Sequence, residues 1–208
     1  MNNALYRLKQ MSLGWGSVGL VYYATDYWQG VGTQLQPGPI DHLISFDPHS
    51  IWLYMSFFLI IPTAYLGCSI QRIIWLRSAM QLSALSAGAI FLAWPTTLAY
   101  PPNPGSSLSS ILLAALTRID SAQNCFPSLH MALTVLAIWA LHDAQRPVKN
   151  AMLWLWGLAI AFSIVQLRRH LFIDLLAGTT LGLTIGLLCQ RCIPASSRLE
   201  EGYPHHMD

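Results

Sequence analysis

Charge is scarce in this chain. Of 208 residues, 11 are Lys or Arg and 9 are Asp or Glu, so charged side chains make up 10% of the sequence, against about a quarter in a soluble domain. Hydrophobic residues make up 54% and the mean hydropathy is +0.45. A soluble globular domain is excluded, and the chain reads as an integral membrane protein. No basic cluster is interleaved with aromatics, so nucleic acid is not an expected partner. There is no internal repeat. Cysteine is sparse too, at four. Only Cys125 is expected on an oxidising side, so no disulfide within the chain is expected there. Neither Asn2-Asn-Ala nor Asn103-Pro-Gly is a glycosylation acceptor. The N-terminus lacks a compact apolar core ending in a small-residue cleavage site, so its first apolar segment reads as a retained helix.

Apolar runs are what the chain has in quantity. They cover residues 11–28, 50–66, 78–98, 127–141, 151–165 and 171–188. The expected fold is all-α and polytopic, with about six transmembrane helices forming one domain over residues 1–190 and a polar cytoplasmic tail over 191–208. Several runs fall short of the roughly 20 residues that span a bilayer, so their polar ends should extend helically past the apolar core. Gly14, Gly16 and Gly19 would allow close helix packing. Trp28, Trp52, Trp75, Trp94, Tyr100, Trp139, Trp154 and Trp156 lie near segment ends and read as an interfacial belt. The link over 99–124 is too long for a simple turn, which suggests a functional segment.

Charge sets the orientation. With a basic N-terminus inside, six spans put Arg7, Lys9, Arg72, Arg77, Arg146, Lys149, Arg191 and Arg198 on the cytoplasmic side. Arg118, Arg168 and Arg169 are left on the outer side. Breaking the rule together, they read as ligand groups rather than orientation signals.

Two short stretches flank those arginines. The first is Asn124-Cys-Phe-Pro-Ser-Leu-His-Met-Ala-Leu-Thr134, where a polar link turns into an apolar helix. Pro127 suits a first helical position, with Ser128 in the first turn, where free N–H groups and the helix dipole attract anions. His130 follows. The second stretch is Arg168-Arg-His-Leu-Phe-Ile-Asp174. His170 and Asp174 are four apart, one helical face, so the carboxylate can fix the imidazole tautomer and leave its other nitrogen free. A Pro-Ser pair opening a helix is ordinary capping, and one histidine near a helix start is more often structural. Two such stretches together favour a phosphate site, because charge inside a membrane helix costs roughly 2.5–3.5 kcal/mol.

At Phe126-Pro-Ser-Leu-His130 and His170 to Asp174, followed by Leu-Leu-Ala-Gly178, the sequence resembles the type 2 phosphatidic acid phosphatase superfamily, which shares its core with vanadium haloperoxidases. The wording Asp120-Ser-Ala-Gln-Asn-Cys-Phe-Pro-Ser-Leu-His, with Ser163 upstream of His170, is most similar to the branch that includes inositol phosphotransferases and sphingolipid synthases. The resemblance covers about residues 41–182 in layout. It implies phosphoryl transfer without metal or other cofactor, on a lipid phosphate or diphosphate, with His170 as nucleophile, Asp174 as its partner and His130 as acid and base. Ser128, Arg168, Arg118 and Arg169 are the expected phosphate ligands. The family's upstream Lys-x6-Arg-Pro is not legible, and Asn103 of Tyr100-Pro-Pro-Asn-Pro104 stands where its arginine would be. Ile164 likewise replaces an arginine. The acceptor stays open between water and an alcohol, and a non-catalytic lipid-phosphate binder or transporter is the alternative. Outer-side placement, with no glycosylation site, suggests a bacterial inner membrane and a periplasm-facing site.

Two metal-like patterns are weak. Cys189-Gln-Arg-Cys192 with His205-His206 has zinc-like spacing. Asp41, His42, Asp47 and His49 share one loop, where exposed side chains are the plainer reading.

Overall fold

The computed structural model describes residues 3–103 and 105–192. The chain is helical almost throughout: α1 (Asn3–Trp28), α2 (Pro39–Leu43), α3 (Ile51–Met55), α4 (Phe57–Gly67), α5 (Ile70–Ala93), α6 (Leu108–Ile119), α7 (Leu129–Leu141), α8 (Pro147–Gln166) and α9 (Phe172–Cys192). The only pairing named as strands among the described residues is parallel, Thr33–Gln34 beside Thr96–Thr97. A 3-10 turn, α3 and α4 together make one stretch, Pro48–Gly67. That stretch, α5, α8 and α9 are long and apolar enough to cross a membrane. The six-span expectation needs α1 and α7 as well. α1 has the length, at 26 residues. α7 has 13, eleven of them buried. An apolar helix buried on nearly every side sits at the centre of a bundle, with its neighbours between it and lipid.

How closely α9 approaches α7 is set by glycine. A Cβ at Gly178 would lie 2.1 Å from the Ser128 carbonyl oxygen, one at Gly182 2.7 Å from that of Ala132, and one at Gly186 2.6 Å from the Trp139 ring. Three glycines at four-residue spacing thus form a groove that takes the α7 backbone at Gly178 and Gly182 and the Trp139 ring at Gly186. Trp75 of α5 donates to the Gly186 carbonyl at 2.9 Å, tying a third helix to the crossing.

Several expectations need correction. Of Gly14, Gly16 and Gly19, only Gly14 meets another helix, its Cβ position lying 2.0 Å from the Tyr65 hydroxyl; Gly16 and Gly19 face open space. The aromatic belt reduces to Trp28, Trp52, Trp94 and Trp154, which are exposed. Trp75 and Trp139 instead meet edge to face, Trp156 bonds Ser56, and Tyr100 covers Arg169. The long link contains α6, opened by Ser107, whose side chain accepts from the Ser110 amide. Of the tail, residues 193–208, including Arg198, His205 and His206, lie outside the described residues.

The basic residues Arg7, Arg72 and Lys149 also serve as helix caps. Arg7 donates to the Tyr65 and Cys68 carbonyls, Arg72 to those of Ala140 and His142, and Lys149 to that of Leu141. Such carbonyls have no partner within their own helix and carry the negative end of its dipole.

Gly182→Leu is expected to cost about 1–3 kcal/mol, the scale of overpacking, whereas Gly16→Ala should be neutral or mildly stabilising. Denaturant unfolding of the two variants in detergent checks the contrast.

Candidate active site

Three local devices bring the two sequence stretches together. The first is the start of α7. Ser128 is its N-cap, the side chain accepting from the Met131 amide at 3.4 Å, while the Ser128 amide donates to the Asp174 carbonyl at 3.0 Å. Pro127 therefore stands before the cap rather than at the first helical position, and its peptide bond to Phe126 is cis. His130 lies in the first turn.

The second device ends α8. The Arg168 amide donates to Val165 and the Arg169 amide to Ile164, both at 3.0 Å, with Arg168 at φ 56°. This is the paired-bond helix stop in which glycine usually takes the left-handed position. An arginine there costs about 1–2 kcal/mol. Its guanidinium donates through Nη2 to the Ile44 carbonyl at 2.6 Å, and its Nη1 is buried without a partner among the described residues.

The third opens α9. The Leu171 amide donates to the Asp174 Oδ2 at 2.8 Å, a carboxylate three residues into the helix reaching back to its cap. The Phe172 amide donates to Asp41 at 2.8 Å. His170 thus sits in the turn before α9, not on one helical face with Asp174. Its Nδ1 lies 2.8 Å from the Cys125 carbonyl oxygen and 3.7 Å from the Asp174 Oδ2. The carbonyl, not the carboxylate, makes the hydrogen bond that fixes the tautomer, so Nδ1 carries the proton and Nε2 is free. Asp174 is wholly buried and its Oδ1 has no partner, which leaves its charge acting on the imidazole at close range.

The two histidine rings meet edge to face, centroids 5.6 Å apart. The His130 Nε2 lies 2.9 Å from the Tyr54 hydroxyl, and Tyr54 donates to Asp120 at 3.4 Å. Tyr22 donates to the other Asp120 oxygen at 3.1 Å, and Arg169 forms a close ion pair with Asp120. The Tyr100 ring lies 4.2 Å from the Arg169 guanidinium carbon, a cation–π contact. Burial by itself lowers the Arg169 pKa, but Asp120, helped by Tyr100 and Tyr54, reverses this and carries it above the ordinary arginine value. Arg169 is therefore a fixed, buried cation. Its Nε and Nη1, like the Nη1 of Arg168, are buried without a hydrogen-bond partner among the described residues. Burial, with the Asp174 charge adding to it, pushes the Cys125 thiol up to about 12, so that thiol is no rival nucleophile.

The other expected ligands lie apart. Arg118 is exposed on α6. Asn103 donates to the Ser110 carbonyl at 2.8 Å, its Oδ1 buried without partner. Ser163 bonds the Ile160 carbonyl within α8. Of the acids and histidines over residues 41–49, Asp41 bonds the Gly38 and Phe172 amides, Asp47 the His49 amide, and His49 the Ser109 hydroxyl, while His42 is exposed. Cys189 is buried and Cys192 exposed, both as free thiols.

Asp120, Tyr54, Tyr22 and Asn124 were missed as site residues. Asn124 holds the left-handed φ of 56°, which its short polar side chain tolerates, and its amide donates to the Tyr22 carbonyl of α1 at 3.0 Å. An acid and an asparagine inside the Asp120-to-His130 wording were the available signal; the tyrosines, on helices distant in sequence, had none.

Two histidines thus face each other near a buried cation within the helical bundle. The family model of the PAP2 superfamily matches residues 48–198, and the chain belongs to that superfamily, whose members are phosphatases and phosphotransferases. No curated protein and no solved structure matches the chain.

Asp120→Asn should cost about 3 kcal/mol by leaving Arg169 buried without its counter-ion. Unfolding in detergent checks this; a loss below about 1 kcal/mol would mean that the pair is not buried as described.

Proposed function

We propose that this protein is a metal-independent lipid phosphatase or phospho-headgroup transferase working through a phosphohistidine at the outer face of the membrane. The observation that carries the reading is His170, whose Nδ1 is occupied by the Cys125 carbonyl while its ring faces His130. The His170 Nε2 attacks phosphorus and the bond to the leaving oxygen breaks. His130 gives that oxygen a proton, then takes one from the incoming acceptor, whose oxygen displaces His170. The Asp174 charge stabilises the cationic phosphohistidine.

The non-bridging oxygens need fixed donors. Arg169 is the first of these, because two of its donors are buried and unmet, and it takes the place expected of the arginine that Asn103 replaces. The Ser128 hydroxyl, although capping α7, keeps its own hydrogen to donate. Arg168, Arg118 and Asn103 rank below these. The clustering of Arg7, Arg72, Arg77 and Lys149 away from the histidines in sequence supports an outer-side site under the rule of positive charge inside, periplasmic if the membrane is a bacterial inner one. Water as acceptor gives a phosphatase, and a lipid or polyol hydroxyl gives a transferase, as in the branch that the motif wording resembles. The tying of Asn103 to a backbone carbonyl favours a second reading, a lipid-phosphate binder that has kept the scaffold alone.

Purified protein in detergent with EDTA should release phosphate from lipid phosphates or exchange their headgroups, and His170→Ala and His130→Ala should each lose at least about 100-fold while remaining folded. Turnover retained in either variant contradicts the assignment. Lipid-phosphate binding without release or exchange supports the second reading.

A further inference from the structure

Tyr54 of α3 is buried, and its hydroxyl stands between two groups that both need it. It lies 2.9 Å from the His130 Nε2 and 3.4 Å from an Asp120 carboxylate oxygen. The phenol has one proton for these two neighbours. Asp120, ion-paired with Arg169, only accepts, whereas an imidazole carries a proton on whichever nitrogen its partner favours. All three groups are satisfied when Tyr54 donates to Asp120 and the His130 Nε2–H donates to Tyr54. An imidazolium fits the same arrangement, because a ring protonated on both nitrogens has nothing left with which to accept. The Tyr54 and Phe57 rings also pack on the imidazole, with centroids 5.2 and 4.6 Å from its own. His130 is thus held by one nitrogen and by its ring, which leaves Nδ1 for the substrate.

Resting on the reaction proposed above, we infer that Tyr54 is the positioning residue of the acid: it ties the His130 Nε2 to Asp120, so that Nδ1 handles the substrate proton. In the first half-reaction the bond from the His170 Nε2 to phosphorus forms as the ester bond breaks. The bonding pair stays on the leaving oxygen, which takes the proton from the His130 Nδ1 while Nε2 keeps its own. In the second half the acceptor hydroxyl returns a proton to Nδ1 as its oxygen displaces His170. The Asp120 charge, passed on through the phenol, steadies the imidazolium before the first transfer and after the second. The same carboxylate holds Arg169, so one acid aligns the phosphate-binding cation and the proton donor together.

The test compares kcat/KM in detergent for two phosphate monoesters of matched chain, dodecyl phosphate and 4-dodecyl-2-nitrophenyl phosphate. The alkanol needs a proton to leave and the nitrophenol does not. Tyr54→Phe keeps the ring and leaves Asp120 with Arg169 and Tyr22. It should lower the alkyl-to-nitrophenyl ratio by about tenfold or more, a part of the roughly 100-fold or greater contribution of a positioned acid. A tyrosine that only braces the fold would affect both esters alike, so a ratio unchanged from wild type, or raised, overturns the inference. His130→Ala should shift the ratio the same way and further; an unchanged ratio there sinks the assignment of His130 as the acid, which is a separate failure. A second readout is independent of turnover. In protein labelled with 15N-histidine, the His130 resonances, identified by their loss in His130→Ala, should show a neutral ring protonated on Nε2, and Tyr54→Phe should mix the two tautomers. A wild-type ring protonated on Nδ1, or a tautomer that ignores the substitution, overturns the inference. Without any turnover the catalytic reading fails, and the tautomer still decides whether Tyr54 holds His130.

Discussion

The approach of α9 to α7 is the constraint on which the site depends. Each histidine belongs to a different stretch of chain, and neither helix carries both. What brings them within reach is a close approach permitted only where side chains are missing, with Gly178 and Gly182 against the α7 backbone and Gly186 against the Trp139 ring. The first of these lies directly on Ser128, the residue that opens α7. The same contact lets the Ser128 amide reach the Asp174 carbonyl, so the caps of both helices share one hydrogen bond. In a bilayer, where lipid tails are as apolar as leucine, helices associate through packing and hydrogen bonds rather than through a hydrophobic drive. This crossing has both.

Around it, polar side chains have structural and chemical duties at once. Asp174 caps its own helix through Leu171 and places charge beside His170. Asp41 of α2, more than a hundred residues away, satisfies the first amide of α9. Asp120 holds Arg169, Tyr22 and Tyr54, and through Tyr54 reaches His130. Unpaired charge is expensive in such surroundings, so each acid has several partners. The exceptions are informative. In the reaction we propose, the substrate phosphate meets the free donors on Arg169, and the cationic phosphohistidine faces the free oxygen on Asp174.

Composition and periodicity made the helical membrane fold legible, because apolar runs in a chain poor in charge have few alternatives. The motif stretches were legible as well, since hydroxyl, imidazole and carboxylate are conspicuous beside such runs. What was not legible is what depends on three dimensions. Arg168 and Arg169 are adjacent and look alike in sequence, but the left-handed turn at Arg168 sends one to the Ile44 carbonyl and the other to Asp120. The His170 partner is a backbone carbonyl, which no side-chain pattern can announce. Gly14, Gly16 and Gly19 looked like a packing motif and mostly are not, whereas the glycines of α9 form one. Tyr22 and Tyr54 reach the site from helices whose only visible feature was hydrophobicity.

The most direct test of the account is to trap the intermediate. Protein mixed with a radiolabelled lipid phosphate, quenched in alkali within the first turnover and digested for mass spectrometry, should carry phosphate on His170. Loss of label on acid treatment, and its absence from His170→Ala, would mark it as a phosphohistidine formed by the facing pair. Steady phosphate release with no label on His170, and with His170→Ala still active, would mean that the crossing of α7 and α9 assembles a binding site while the chemistry proceeds elsewhere.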